Sequence, residues 1–508
     1  MISERRFALI LTTVYLSLQY VMLIHHEMWR DELQAWLIAC NSSSLYGLFQ
    51  NLIIEIHPGL WHLMLYALTF FTRSPAAMQF LHWAIAGLIV YIVSRYSPFT
   101  RIQKALFPFG YMIVFEYGVV CRSYSTGVLL IFVMCCLFPR RYARFLSLSA
   151  VLFLLANTSF IGLIIAAATG VSLALECIAR WGAIVRHVSR IRLTLGYYII
   201  LIGCVLSAAK CTAPSPEWQL TPGRYHTTIS LSDEWFSSVA FGFFPILPWR
   251  LNFWEEFYFV NLMHARIKVA LNACLIALTC AALWRTRTAL SVYFFSTLGM
   301  MLFYLMIQPG LLRHYGYHYV MFVAALWMMR REEEERDSAL AASRVYTAAR
   351  SLVGKLFYLI LIVQILCAVY PVYADVRYDF SAGERTARWI RASHMEDWLI
   401  VGHPSGPATS VVGYLDRKLY ELAFDRISAF PCQPVDGKFS GEFPRAIVLD
   451  KIPPLRDKHG PRILFIFNFP LTDAEQRRYG LRAAAQFTGT IVEHEQFYIY
   501  IFNNVPAS

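Results

Sequence analysis

Apolar runs recur along this 508-residue chain too often, and run too long, for the core of a water-soluble protein. Eleven segments read as spans: 7–24, 77–95, 105–120, 124–138, 145–156, 160–179, 193–209, 265–284, 288–307, 317–329 and 351–372. A perpendicular helix needs about 20 apolar residues to cross about 30 Å of hydrocarbon, so the shorter runs are expected to extend into their polar flanks. With 57% hydrophobic and 15% charged residues, the composition agrees: this is a polytopic α-helical membrane protein with about eleven transmembrane helices, not a soluble enzyme.

The formal charge of +12 does not imply a nucleic-acid partner, because the basic residues sit in short loops between apolar runs. No small-residue cleavage site follows the first run, so it reads as a retained span. The eleven cysteines are scattered mostly through apolar segments, with no metal-type spacing and no convincing disulfide pair.

The segment 58–72 decides the topology. It is apolar but only fifteen residues long, a length that suits an interfacial or re-entrant helix. If it does not cross and the N-terminus is cytoplasmic, the loops holding Arg95, Arg101 and Lys104, then Arg140, Arg141 and Arg144, then Arg180 to Arg192, all face the cytoplasm. If it crossed, every later basic loop would face outward. The positive-inside rule favours the first arrangement. The loop 25–74, the turn 116–122, the loop 210–263, the turn 308–317 and everything after 372 then share the outer face.

Within the first outer loop, Trp29, Leu33, Trp36, Leu37 and Cys40 recur at helical spacing, which predicts a helix over 30–40 lying on the membrane surface. Two further short helices are expected over 45–54 and 58–72, the last with Pro58 in its first turn. The acidic run 332–335 lies among arginines in a cytoplasmic loop and reads as a solvated helical extension.

After residue 372 the pattern changes to short strands (398–401, 446–449, 463–467, 497–502) alternating with helices (409–422, 474–485). Thr472 and Glu475 form a capping-box signature at the start of the second helix. The chain therefore divides into a membrane domain, 1–372, and an outer α/β domain, 373–508.

Ionisable groups beside a bilayer are costly unless partnered, which makes them functional candidates. Asp31 and Glu32 come first: a carboxylate next to Trp29 and Trp36 is partly desolvated, which raises its basicity for general-base work. Alternatively both simply anchor the helix through Arg30. Glu55 and His57 precede a helix start on the same face, where a histidine beside Pro58 can equally be a structural hydrogen-bonder. Glu116 and Arg122 cap two span ends. Arg122 either pairs with Glu116 or receives a phosphate, whose oxygens match a guanidinium bidentately. Arg313 and His314 repeat the pattern, or belong to an interfacial basic and aromatic belt. Trp218, Trp235, Trp249 and Trp254 in the loop 210–263 offer ring faces for stacking on a substrate or mark the interface. Taken together, a base for an acceptor hydroxyl and cations for a departing phosphate gather on one face. No nucleophilic-serine elbow, H-E-x-x-H or phosphate loop competes with them.

In order and motif, the chain resembles the GT-C membrane glycosyltransferases, among them protein O-mannosyltransferases and aminoarabinose transferases. The motifs are H-E-M-W-R-D-E-x-Q-A-W from His26, E-x-H-P-x-L-W from Glu55, E-Y-x-x-x-x-R-x-Y-S from Glu116, and R-H-x-G from Arg313. The resemblance implies a bacterial inner-membrane enzyme that takes a sugar from a polyprenyl-phosphate carrier and passes it, with inversion, to a glycan, lipid or protein acceptor. It aligns Asp31, with Glu32 beside it, to the catalytic first-loop carboxylate. It makes Arg30, Glu55, His57, Glu116, Arg122, Arg313 and His314 donor-phosphate or substrate-binding residues. Some members use a divalent cation and others none, and the first-loop acidic pair leaves both open. The C-terminal domain lacks a W-W-D-type signature, which argues against protein N-glycosylation. Two rival readings are a lipid or polysaccharide transporter, disfavoured by the scarcity of mid-span charges, and a noncatalytic envelope-assembly subunit.

Overall fold

The computed structural model describes residues 2–55, 57–212, 237–254, 262–307, 310–334, 344–430 and 445–503. Its helices run α1 (Glu4–Leu23), α2 (Arg30–Cys40), α3 (Leu45–Asn51), α4 (Leu60–Thr69), α5 (Ala76–Tyr96), α6 (Arg101–Leu106), α7 (Tyr124–Leu137), α8 (Phe145–Ala156), α9 (Phe160–Ala179), α10 (Trp181–Ile184), α11 (Arg190–Thr212) and α12 (Ser238–Phe243). They continue with α13 (Ala265–Leu283), α14 (Arg287–Met306), α15 (Leu312–Glu334) and α16 (Arg344–Arg377). Among the described residues, seven of these (α1, α5, α9, α11, α13, α14 and α16) are long and apolar enough to cross a membrane. Helix α15 is the axis of the bundle and is buried along nearly its whole length. With ten residues and a rise of about 1.5 Å each, α4 is about 15 Å long, too short to cross by itself.

The expected third span, 105–120, is not one helix. Pro108 lacks the N–H that would continue α6, and Gly110 is extended at the break. A wide turn follows in which Tyr117 N–H reaches back five residues to Met112 C=O at 2.9 Å. Backbone groups freed at this depth need partners. Gln364 of α16 accepts from Met112 N–H at 3.2 Å and donates to Gly242 C=O at 2.9 Å. From α1, Tyr15 donates to Ile113 C=O at 2.9 Å and Gln19 to Val114 C=O at 2.6 Å. The break matters because it delivers residues 116–122 to the end of the bundle where α2 lies.

Two features differ from the sequence expectation at the membrane surfaces. Helix α2 forms over the expected residues but does not lie open on a surface, since Glu32, Leu33 and residues 35–39 are all buried. Glu332 is buried too, not solvated: Arg141 binds it at 3.2 Å and Glu176 at 2.6 Å. Glu335 and Arg336 lie outside the described residues.

The C-terminal segment forms a six-stranded mixed sheet in the order β3-β2-β1-β4-β6-β5. The strands are β1 (Leu399–His403), β2 (Leu419–Glu421), β3 (Arg426–Ser428), β4 (Ile463–Phe467), β5 (Leu481–Phe487) and β6 (Phe497–Phe502). Strand β1 pairs in parallel with β2 and β4, while the outer pairs are antiparallel. Helices α17 (Gly383–Ala392) and α18 (Ser405–Leu415) cover one face; α19 (Arg445–Leu449), α20 (Ile452–His459) and α21 (Asp473–Tyr479) contribute to the core on the other.

Three local readings change here. Residues 446–449 are helical rather than a strand. The helix expected over 409–422 begins at Ser405 and stops at Leu415, where Asp416 turns left-handed (φ 54°), and β2 follows. The helix expected over 474–485 does open on the Thr472–Glu475 capping box, but Gly480 (φ 65°) ends it. The alanine-rich stretch after Gly480 is then recruited into β5 by pairing with β6, a case of tertiary context overriding propensity.

Candidate active site

Helix α2 is held from both ends of the chain. Gly413 of α18 sits directly on it: a β-carbon there would come within 2.7 Å of Leu33 Cβ, so only glycine permits this approach. Tyr414 Oη accepts Met28 N–H at 2.6 Å. Glu495 accepts Arg30 N–H at 3.2 Å, and Arg73, whose carbonyl accepts from Trp36, grips Asp416 through two bonds of 2.6 and 2.8 Å.

The two acidic residues at the start of α2 do different things. Glu32 is fully buried and occupied on both oxygens: Oε1 accepts Cys121 N–H at 2.6 Å, and Oε2 accepts Trp29 N–H at 3.0 Å and faces His26 Nε2 at 3.4 Å. It does not line the neighbouring cavity; both its oxygens are spent on holding the backbone at Trp29 and Cys121 and on facing His26. By holding Trp29 and Cys121 it sets the residues on either side, Arg30–Asp31 and Arg122. His26 Nδ1 lies 2.8 Å from Asp375 at the end of α16. Burial alone would lower the His26 pKa, but the Asp375 and Glu32 carboxylates outweigh it and raise it to about 10.

Asp31 points the other way, into a cavity of about 140 Å³ lined also by His57, Arg122, Tyr124, Ser159, Arg313 and His314. Its Oδ2 lies 2.6 Å from Arg122 Nη1, and Oδ1 is 3.7 Å from Arg30 Nε. The raised basicity expected for Asp31 is not found. Burial acts in that direction, but Arg122, Arg30 and Arg313 together hold its pKa below the usual carboxylate value. The sequence alternative in which Arg122 pairs with Glu116 gives way to the Asp31 pair.

Glu116 does not line the cavity. It accepts from Tyr111 Oη at 2.8 Å and Trp254 Nε1 at 3.2 Å. That fixes Trp254 edge-on to Trp29, and the Arg313 guanidinium lies 5.3 Å from the Trp254 ring and 5.8 Å from Trp29. Trp254 is therefore packed inside the site rather than at a membrane interface. Trp249 is exposed and stacks on Tyr370, whereas Trp218 and Trp235 lie outside the described residues.

Glu55 does not line the cavity, and its backbone carbonyl accepts from Lys210 Nζ at 2.7 Å. Burial raises its pKa, with the Asp31 charge adding to it and Arg122 opposing. His314 lines the cavity but both its nitrogens are engaged, Nδ1 by Leu311 N–H and Nε2 by Tyr124 Oη, so it has no nitrogen left for a phosphate. Tyr124, Asp375 and Glu495 were not singled out by the sequence. Only Tyr124 carried a signal, its place in the motif after Arg122. Among the described residues no three His, Cys, Asp or Glu side chains gather in a ligand set.

The chain thus combines an apolar helical bundle whose third expected span is broken, a short first-loop helix packed under a terminal α/β sheet, and a polar cavity between that helix and the bundle. Solved structures with the same fold include those of ArnT from Cupriavidus metallidurans. The form bound to undecaprenyl phosphate matches with TM-score 0.55 at 11% identity over 98% of each chain. The apo state matches with TM-score 0.51 at 11% identity over 97% of each. At that identity the likeness is one of fold. Neither the known family models nor the curated proteins contain a match to this sequence.

Proposed function

We propose that this protein is an inverting glycosyltransferase of the bacterial inner membrane that uses a polyprenyl-phosphate sugar donor. The observation that carries the reading is the placement of Asp31 on one cavity with Arg122, Arg313 and His57. The shared fold with a protein solved with undecaprenyl phosphate supports it. The concentration of basic residues in the loops of the opposite face supports a cavity on the periplasmic side.

In this reading an acceptor hydroxyl attacks the anomeric carbon while Asp31 takes its proton. The bond from that carbon to the carrier's phosphate oxygen breaks, and the phosphate leaves as an anion. Arg122 and Arg313 stabilise the charge that develops on it. A single displacement from the face opposite the phosphate inverts the anomeric centre. The Arg122–Asp31 contact adds a control: a phosphate that recruits Arg122 weakens its hold on Asp31, so the base gains strength when the donor arrives.

The test is transfer by the full chain in lipid nanodiscs, with undecaprenyl-phosphate sugars as donors and mass spectrometry as the readout. Comparison of envelope glycans and lipids with and without the protein should identify one missing glycosyl increment. Transfer retained by a folded Asp31→Asn variant would overturn the mechanism.

A further inference from the structure

Three side chains in the cavity wall form a hydrogen-bonded chain that the chemistry above does not use. It starts from the backbone. Leu311 N–H points at His314 Nδ1 at 2.9 Å, which leaves that nitrogen its lone pair and places the ring's hydrogen on Nε2. Nε2 donates to Tyr124 Oη at 2.8 Å. The Tyr124 hydroxyl then has its own hydrogen for its remaining neighbour, His57 Nε2, at 3.4 Å. A neutral His57 that accepts at Nε2 must carry its hydrogen on Nδ1. Among the described residues that Nδ1 is buried and has no hydrogen-bond partner.

We infer that Tyr124 and His314 are positioning residues that lock His57 as the Nδ1–H tautomer, so that it offers one neutral hydrogen-bond donor to a phosphate oxygen of the departing carrier. The inference rests on the glycosyltransferase reading. Desolvation, reinforced by Arg122 and His62, pushes the His57 pKa down to about 3, so the ring is neutral throughout the physiological range. Charge is already supplied by Arg122 and Arg313. A neutral donor engaged by the same oxygens strengthens as negative charge builds up on them, which favours the transition state over the bound donor. Neither Tyr124 nor His314 need touch the substrate, because each acts through its neighbour.

The experiment uses the full chain in nanodiscs with undecaprenyl phosphate as the probe. Nitrogen NMR of histidine-labelled protein reads the tautomer, with His57→Gln assigning the signal. Wild type should show the Nδ1–H form. Tyr124→Phe should release it into a mixture and weaken undecaprenyl phosphate binding about tenfold, the scale of one hydrogen bond to a charged group. His314→Gln, whose amide can still donate to Tyr124, should keep most of the affinity. Unchanged tautomer and affinity in Tyr124→Phe would overturn the inference, while a loss of binding in Arg122→Gln would show that the carrier reading survives it. A wild type that does not bind undecaprenyl phosphate overturns the carrier reading and the inference with it. Should a variant misfold, the wild-type spectrum decides alone, since an Nε2–H signal for His57 excludes the lock.

Discussion

Asp31 Oδ2 and Arg122 Nη1 lie 2.6 Å apart, joining the start of α2 to the turn that precedes α7. Neither residue reaches that position unaided. Glu32 holds the neighbour of each, through Trp29 N–H and Cys121 N–H, so the pair is assembled by a carboxylate that does not enter the cavity.

Replacement of Asp31 by Asn should leave the fold and undecaprenyl phosphate binding in place while lowering transfer by about 10²- to 10⁴-fold, the range that general-base catalysis supplies. Turnover and lipid binding measured on the same preparation check this. A parallel fall in both would instead mark Asp31 as a binding group.

The Asp31 pKa is depressed, chiefly because Arg122, Arg30 and Arg313 outweigh its burial. A depressed carboxylate stays ionised until the pH falls through its lowered value, so the acid limb of transfer should lie below the usual carboxylate range. In Arg122→Gln the limb should move to higher pH as the residual activity is followed. An unmoved limb would mean that another group sets it.

For Glu32→Gln the expectation is structural. One side-chain oxygen is replaced by an NH₂ group facing buried donors, and leaving a buried donor unsatisfied costs about 1–3 kcal/mol. Thermal unfolding in detergent should drop by several degrees, whereas Asp31→Asn should not lower it comparably. An unaltered unfolding temperature with lost transfer would return Glu32 to the catalytic residues.

Asp375 and Glu32 raise the pKa of His26 to about 10 against the opposing effect of burial. A raised histidine stabilises fully below its unfolded value, about 6.5, and loses that contribution as the pH climbs through the folded value. Wild-type stability should therefore decline between pH 7 and 10. Asp375→Asn should lower stability near neutrality, by about 3–5 kcal/mol if it behaves as a broken buried pair, and should flatten that decline. Unfolding temperatures across the pH range check both.

Gly413→Val should drive its side chain into Leu33 and separate α18 from α2, at about 1–3 kcal/mol for overpacking. Because α2 carries Asp31, transfer should fall together with the unfolding temperature. A variant as stable and active as wild type would show that this contact does not support the site.

Helices are present at ten of the eleven expected spans, because a run of apolar residues settles helix placement locally. The Thr472 capping box and the helix from Arg30 were legible for the same reason: each depends on residues three or four apart. The collection of charged residues near helix ends also pointed to Asp31, His57, Arg122, Arg313 and His314, all of which line the cavity. What each of them does there was settled by pairing across the chain. Glu32 meets Cys121 across 89 positions and His26 meets Asp375 across 349, distances at which no local periodicity carries information. The alanines after Gly480 became a strand because β6 offered partners. Asp31 and Glu32, adjacent and chemically alike, were separated by one rotation along α2, which turned one carboxylate into the core and left the other facing the cavity. Sequence determined which groups are present and roughly where they lie along the chain. Tertiary structure alone decided which of them are desolvated and by whom they are paired, because burial and charge partners set what an ionisable group can do.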